Sequence, residues 1–199
     1  MTLELCDEFD GGFGWSRPGY LERTSHALEV DGAVLVFDPL DAPGIDERIR
    51  ALGRPEAVVQ LLDRHERDCG IVAERLCVPH LRTWLDSSSS RGELVKVVWN
   101  RVWMEAAFWE PTRRILVVAD ALGTVRYFTA PGEAIGVHPL LRLRPPRILA
   151  ELEPVHILCG HGAGVHGQRA AAALHEAFAT SRQRLPRALL GALRRSPKS

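Results

Sequence analysis

Apolar and polar positions along this chain follow two periods in turn. Residues 26 to 38 read His-Ala-Leu-Glu-Val-Asp-Gly-Ala-Val-Leu-Val-Phe-Asp, with apolar runs on either side of Asp31-Gly32. That dipeptide accepts the left-handed backbone of a two-residue turn, so the segment predicts a β-hairpin. Pro39 lacks an amide proton and closes the second run after Asp38. Ile45, Ile49 and Leu52 then recur at helical spacing over 44–52. The apolar run 57–62 predicts a strand buried on both faces. A short helix is expected over 70–76, and a brief strand over 79–81. Segments 94–99 and 102–109 predict paired strands, 114–120 a buried strand closed by Asp120, and 154–159 the last strand. Residues 86–92 form a loop, and the Gly- and Pro-rich stretch 121–146 predicts irregular structure. An Ala-rich helix is expected from Gln168 to about Thr180.

Strands with interspersed helices in one chain of 199 residues predict a single α/β domain over 1–180. Residues 181–199 follow as a basic C-terminal helix or tail, with six basic residues and no acid. Its leucines, Leu185, Leu189, Leu190 and Leu193, keep roughly helical spacing, so this segment either packs on its own domain or docks on a partner.

Charge changes the picture little. The 25 basic and 25 acidic residues balance, so no global field favours nucleic acid, and no nucleic-acid partner is expected. All basic residues except Lys96 and Lys198 are arginine. Cys6, Cys69, Cys77 and Cys159 show no Cys-x-x-Cys pair. The first residues lack the basic and apolar regions of a signal peptide, and no run reaches the ~18 apolar residues of a membrane span. A cytoplasmic protein with free thiols is the expectation.

Three predicted strands end in polar residues: 62–70 (Leu-Asp-Arg-His-Glu-Arg-Asp-Cys-Gly), 118–122 (Val-Ala-Asp-Ala-Leu) and 158–162 (Leu-Cys-Gly-His-Gly). Asp68, Asp120 and His161 are residue types that hold a divalent cation, and neighbouring strand ends converge in such folds. Each also has a plainer use. Asp68 suits the N-cap of the helix near Gly70, Asp120 a strand-end turn, and His161 a packed ring bonded to backbone. Gly162-Ala-Gly164-Val-His-Gly167 has the form of a dinucleotide fingerprint. No later strand completes the βαβ unit, so no nicotinamide or flavin site is expected.

The ordered set of motifs resembles the metallo-β-lactamase superfamily. There a hairpin ending in Asp precedes a strand running into Thr-His-x-His-x-Asp-His-x-Gly, and later strands end in Gly-Asp and Gly-His. Val34 to Asp38, Asp63 to Gly70, Val117 to Asp120 and Gly160-His161-Gly162 stand at the corresponding places, and the similarity covers roughly residues 20 to 178. The resemblance implies an αββα sandwich of two mixed sheets with helices outside.

It also implies a changed site. The two paired histidines of the main motif fall on Arg64 and Glu66, its Asp on Asp68, its last His on Cys69. The histidine expected between the central strands has no counterpart; Arg101 or Glu105 stands there. Glu66, Cys69, Glu105 and the out-of-register His65 are the substitutes on offer. Arg64 adds a fixed positive charge, because a guanidinium keeps its proton. Arg64 or Arg67 is therefore expected to pair with Asp68 or Asp120 and to replace the metal. The leading expectation is a degenerate, non-hydrolytic member that binds a small molecule or a protein partner and carries no metal. The alternative is a hydrolase with a single zinc, iron or manganese ion on Glu66, Asp68, Asp120 and His161, where Asp68 acts as the proton-accepting carboxylate. Homo-oligomerisation is left open by the sequence.

Overall fold

The computed structural model describes residues 4–85 and 91–193. Residues 86–90 of the expected loop and 194–199 of the expected tail lie outside them.

A first sheet carries six strands in sequence order: β1 (Glu4–Phe9), β2 (Gly12–Arg17), β3 (Arg23–Val30), β4 (Ala33–Phe37), β5 (Arg54–Gln60) and β6 (His80–Arg82). β1 to β4 are antiparallel; β4–β5 and β5–β6 are parallel. The parallel steps are bridged by α1 (Ile45–Leu52) and α2 (Cys69–Leu76). A second sheet runs β13-β12-β9-β8-β7, built from β7 (Glu93–Asn100), β8 (Trp103–Glu110), β9 (Ile115–Val118), β12 (His156–Cys159) and β13 (Val165–His166). Its β9–β12 pair is parallel and the other pairs are antiparallel, so this sheet too is mixed.

Strand alternation explains the layers. In β4, Val34 and Val36 pack under α1 and α2 with Ile45, Ile49 and Val72, whereas Leu35 and Phe37 face the other sheet. In β9, Ile115 and Val117 meet them there, and Leu116 and Val118 pack against α3 (Arg169–Leu193) through Leu174 and Ala177. The result is the expected αββα sandwich. The Asp31-Gly32 hairpin has left-handed φ at both turn residues, 48° and 81°.

Three expectations need correction. The glycine-rich N-terminal segment, to which no element was assigned, forms β1 and β2. The helix expected to stop near Thr180 runs on to Leu193 with Pro186 inside it. Residues 121–146 contain a short pair, β10 (Leu122–Gly123) with β11 (Gly136–Val137), and are pinned by buried Arg142 on Glu133, Val137 O and Phe128 O. No helix among the described residues is long and apolar enough to cross a membrane.

Candidate metal centre

The chain leaves β5 in a tight turn, with His65 N donating to Leu62 O. Residues 61–63 then cross to the second sheet: Ala106 N donates to Leu61 O and Asp63 N to Met104 O. This crossing brings the end of β5 beside the ends of β9 and β12, which are neighbours in the other sheet.

Three side chains converge there. His65 Nε2 and His161 Nε2 each lie 3.0 Å from Asp120 Oδ1. One ligand atom from each of the three residues lies within 4.8 Å of the other two. His65 and His161 are buried, and Asp120 is partly buried.

The outer nitrogens fix the tautomers. His161 Nδ1 lies 2.6 Å from Leu21 O, which can only accept a hydrogen bond. His65 Nδ1 lies 3.0 Å from Asp38 Oδ2, whose other oxygen accepts from Leu61 N. Both rings therefore carry a proton on Nδ1, and in the neutral form both Nε2 atoms present lone pairs. Those lone pairs and a carboxylate oxygen face a common point. Asp120 Oδ1 is buried and neither ring is aligned to donate to it. Two ring lone pairs, each 3.0 Å from the same carboxylate oxygen, repel it unless a cation sits among them. Without a metal, a proton on His65 can fill that role. Burial and the nearby Arg67 charge would lower the His65 pKa, but Asp120 and Asp38 outweigh them and raise it. Burial would likewise raise the Asp120 pKa, yet the contacts with His161 and His65 hold it well below the usual carboxylate range.

The surroundings are built to keep this arrangement. Glu105, fully buried on β8, accepts from Asp120 N and Ala121 N at 2.9 Å each and from Trp103 Nε1 at 2.8 Å. Burial, then the charge of Asp120, pushes its pKa up to about 7. Arg67 donates to Thr24 O, Asp38 O and Gly160 O, tying β3, β4 and the end of β12 together. Asp38 and Arg67 both hold left-handed backbone, φ 43° and 42°, a conformation that costs non-glycine residues about 1 kcal/mol or more.

The expected site residues divide. Asp120 and His161 meet. Glu66 is exposed on the surface. Asp68 stands at the N-cap of α2 without capping it; its Oδ2 accepts from Asp41 N at 2.8 Å and lies 3.8 Å from Arg17. Cys69 is buried, with its thiol pKa pushed up by burial and its sulfur near His65 O. Arg64 is half-exposed at the rim, not central. It stacks on the Trp103 ring at 4.4 Å, donates to Val102 O, and brings Nε to 3.8 Å from Asp120 Oδ2. His65 takes the place that register assigned to Arg64 or Glu66. The signal was present: it is the one imidazole in the 63–70 segment, and the left-handed turn at Arg67 breaks linear register.

The trio suits a metal ion on its own geometry. Ligand atoms around a tetrahedral ion at ~2.0–2.1 Å lie roughly 3.3 Å apart. Three ligands, two imidazoles and a carboxylate, are one fewer than a closed structural zinc site takes and match the count that catalytic sites use. The contact from Asp38 to His65 is the outer support that such histidines use.

No family model matches the sequence, and no curated protein matches it. Solved structures do. The chain superposes on a metallo-β-lactamase from Pontibacter korlensis with a TM-score of 0.61 at 9% identity, covering 89% of this chain and 99% of that one. A putative diflavin flavoprotein fragment from Nostoc gives 0.59 at 10% identity, with 92% and 96% covered. The rubredoxin:oxygen oxidoreductase of Desulfovibrio gigas gives 0.59 at 12%, with 90% of this chain and 62% of that one. The protein has the metallo-β-lactamase fold.

Proposed function

We propose that this protein is a single-metal hydrolase on a metallo-β-lactamase fold, holding one zinc, iron or manganese ion on His65, Asp120 and His161. The observation that carries this reading is the convergence of two tautomer-fixed lone pairs and a carboxylate oxygen on one point. When bound, the ion would supply a water acidified toward neutral pH and a Lewis acid for the substrate's oxygen. The chain supplies the rest. Asp38 and Leu21 O orient the two rings. Asp120 Oδ2, the oxygen turned away from the histidines, is placed to take a proton. Arg64, 46% exposed in its side chain, offers guanidinium N–H groups at the mouth to a carboxylate or phosphate on the substrate.

A second reading keeps the fold and drops the metal: a non-hydrolytic binding protein in which a proton on His65 and the Arg64 charge neutralise Asp120. The approach of Arg64 to Asp120 and the raised His65 pKa favour it. Equilibrium dialysis against zinc, manganese and anaerobic ferrous iron separates the two. The hydrolase reading expects about one ion per chain, retained in Glu66→Gln and Asp68→Asn and lost in His65→Ala and Asp120→Ala. It also expects metal-dependent cleavage of an anionic ester. No uptake of any of the three metals at neutral pH would leave the binding-protein reading standing.

A further inference from the structure

A second cavity, of about 390 Å³, lies between residues 126–133 and the C-terminal half of α3. Arg126, Thr129, Pro131, Glu133, Arg187 and Leu190 line it. The volume falls toward the lower end of small-ligand pockets, roughly 300–1,000 Å³.

Its charge is one-sided. Glu133 is the acid in the lining, and its side chain is 1% exposed. Both of its oxygens are already engaged: Oε1 accepts from Arg142 Nη1 at 3.0 Å, and Oε2 from Arg142 Nη2 and from Ala130 N at 2.7 Å. Arg184 approaches the same carboxylate at 3.9 Å. Glu133 is thus spent on cations of its own. Arg126 and Arg187 have neither an ion pair nor a side-chain hydrogen bond among the described residues. Both are exposed to solvent at the cavity. Pro131 and Leu190 add an apolar surface, and Leu190 is 60% exposed. Two planar guanidinium forks beside an apolar shelf match an anion joined to an apolar body.

We propose that this cavity binds a small organic phosphate ester, its phosphate held by Arg126 and Arg187 and its apolar part laid on Pro131 and Leu190. The site is separate from the metal centre and does not depend on it. The neighbouring Phe128 turns inward to stack on His161 at 5.4 Å, so the segment that carries the cavity also backs the centre.

The test is titration of the full chain with phenyl phosphate by calorimetry, with a chelator present so that no metal competes for phosphate. The expected result is one saturable site in the roughly millimolar range or tighter. Arg126→Gln and Arg187→Gln, both surface changes that should leave the melting temperature intact, are each expected to weaken it by about tenfold. Asp120→Asn should bind as the parent does. Benzyl alcohol, uncharged, and inorganic phosphate, without the ring, should both bind more weakly. Absence of saturation at low salt overturns the proposal. So does phenyl phosphate binding that survives unchanged in the Arg126→Gln/Arg187→Gln double variant, or that follows Asp120 instead.

Discussion

Arg67→Met tests whether a partly buried guanidinium organises the centre. Arg67 donates to Thr24 O at 2.5 Å, Asp38 O at 3.0 Å and Gly160 O at 3.0 Å. Methionine fills much of the same volume but donates nothing. Two of the three carbonyls keep another donor, since Ser25 Oγ bonds Asp38 O and Thr24 N bonds Gly160 O. The loss is therefore smaller than three orphaned acceptors would imply. A charge-assisted hydrogen bond contributes roughly 1.5–3 kcal/mol net, and breaking a buried charged network costs roughly 3–5 kcal/mol. The left-handed turn at Arg67 also loses its anchor. We expect destabilisation of about 3–5 kcal/mol, a large share of the ~5–15 kcal/mol that holds a domain together. At ~2–4 °C per kcal/mol for a chain of this size, the melting midpoint should fall by about 6–20 °C. Urea unfolding followed by tryptophan fluorescence and by circular dichroism measures it, with coincident transitions required. Arg67→Lys should recover part of the loss, because one ammonium still reaches some of the carbonyls. A cost under about 1 kcal/mol for Arg67→Met, within the usual range of surface substitutions, would refute the role assigned to Arg67.

Two further predictions concern the imidazoles. Asp38→Asn should leave the fold in place but weaken metal binding by about 10–100-fold, the usual effect of removing a carboxylate behind a ligating histidine; metal titration with a competing chelator reads it, and unchanged affinity would contradict the tautomer argument. The metal-free protein should lose stability as pH rises above the ordinary histidine value of about 6.5, because the His65 pKa is raised in the fold. A folded pKa raised above the unfolded one gives stabilisation that is complete below the unfolded value and disappears through the folded one. Asp120, with its pKa depressed, acts in the opposite sense and loses its contribution only in acid. Thermal melts between neutral and alkaline pH, with and without zinc, should show a metal-induced increment that grows with pH, since binding displaces protons; an increment that shrinks would count against the shared site.

Much of this was legible in residue patterns. The Asp31-Gly32 hairpin, α1, α2, the β7–β8 pair and the strands before Asp120 and His161 follow from period and turn chemistry. β1 and β2 escaped because Gly11, Gly12 and Gly14 interrupt any alternation, although Phe13 and Trp15 are buried. Two of the three members of the centre, Asp120 and His161, were visible as strand-end polar residues. The third turned on one residue of register: the motif alignment selected Arg64, Glu66 and Asp68, while the turn through Arg67 aims His65 inward and leaves Asp68 on Asp41 N. Asp38 was read only as the end of a hairpin. Its contact with His65 depends on a crossing between sheets that no local pattern encodes.

The most direct test is a crystal structure of protein loaded with zinc or manganese, with anomalous differences collected at the metal edge. The account predicts a single peak at roughly 2.0–2.2 Å from His65 Nε2, Asp120 Oδ1 and His161 Nε2, with a solvent ligand on the Arg64 side. An empty pocket with the two rings still packed on Asp120, or a peak on Glu66 and Asp68 instead, would contradict it.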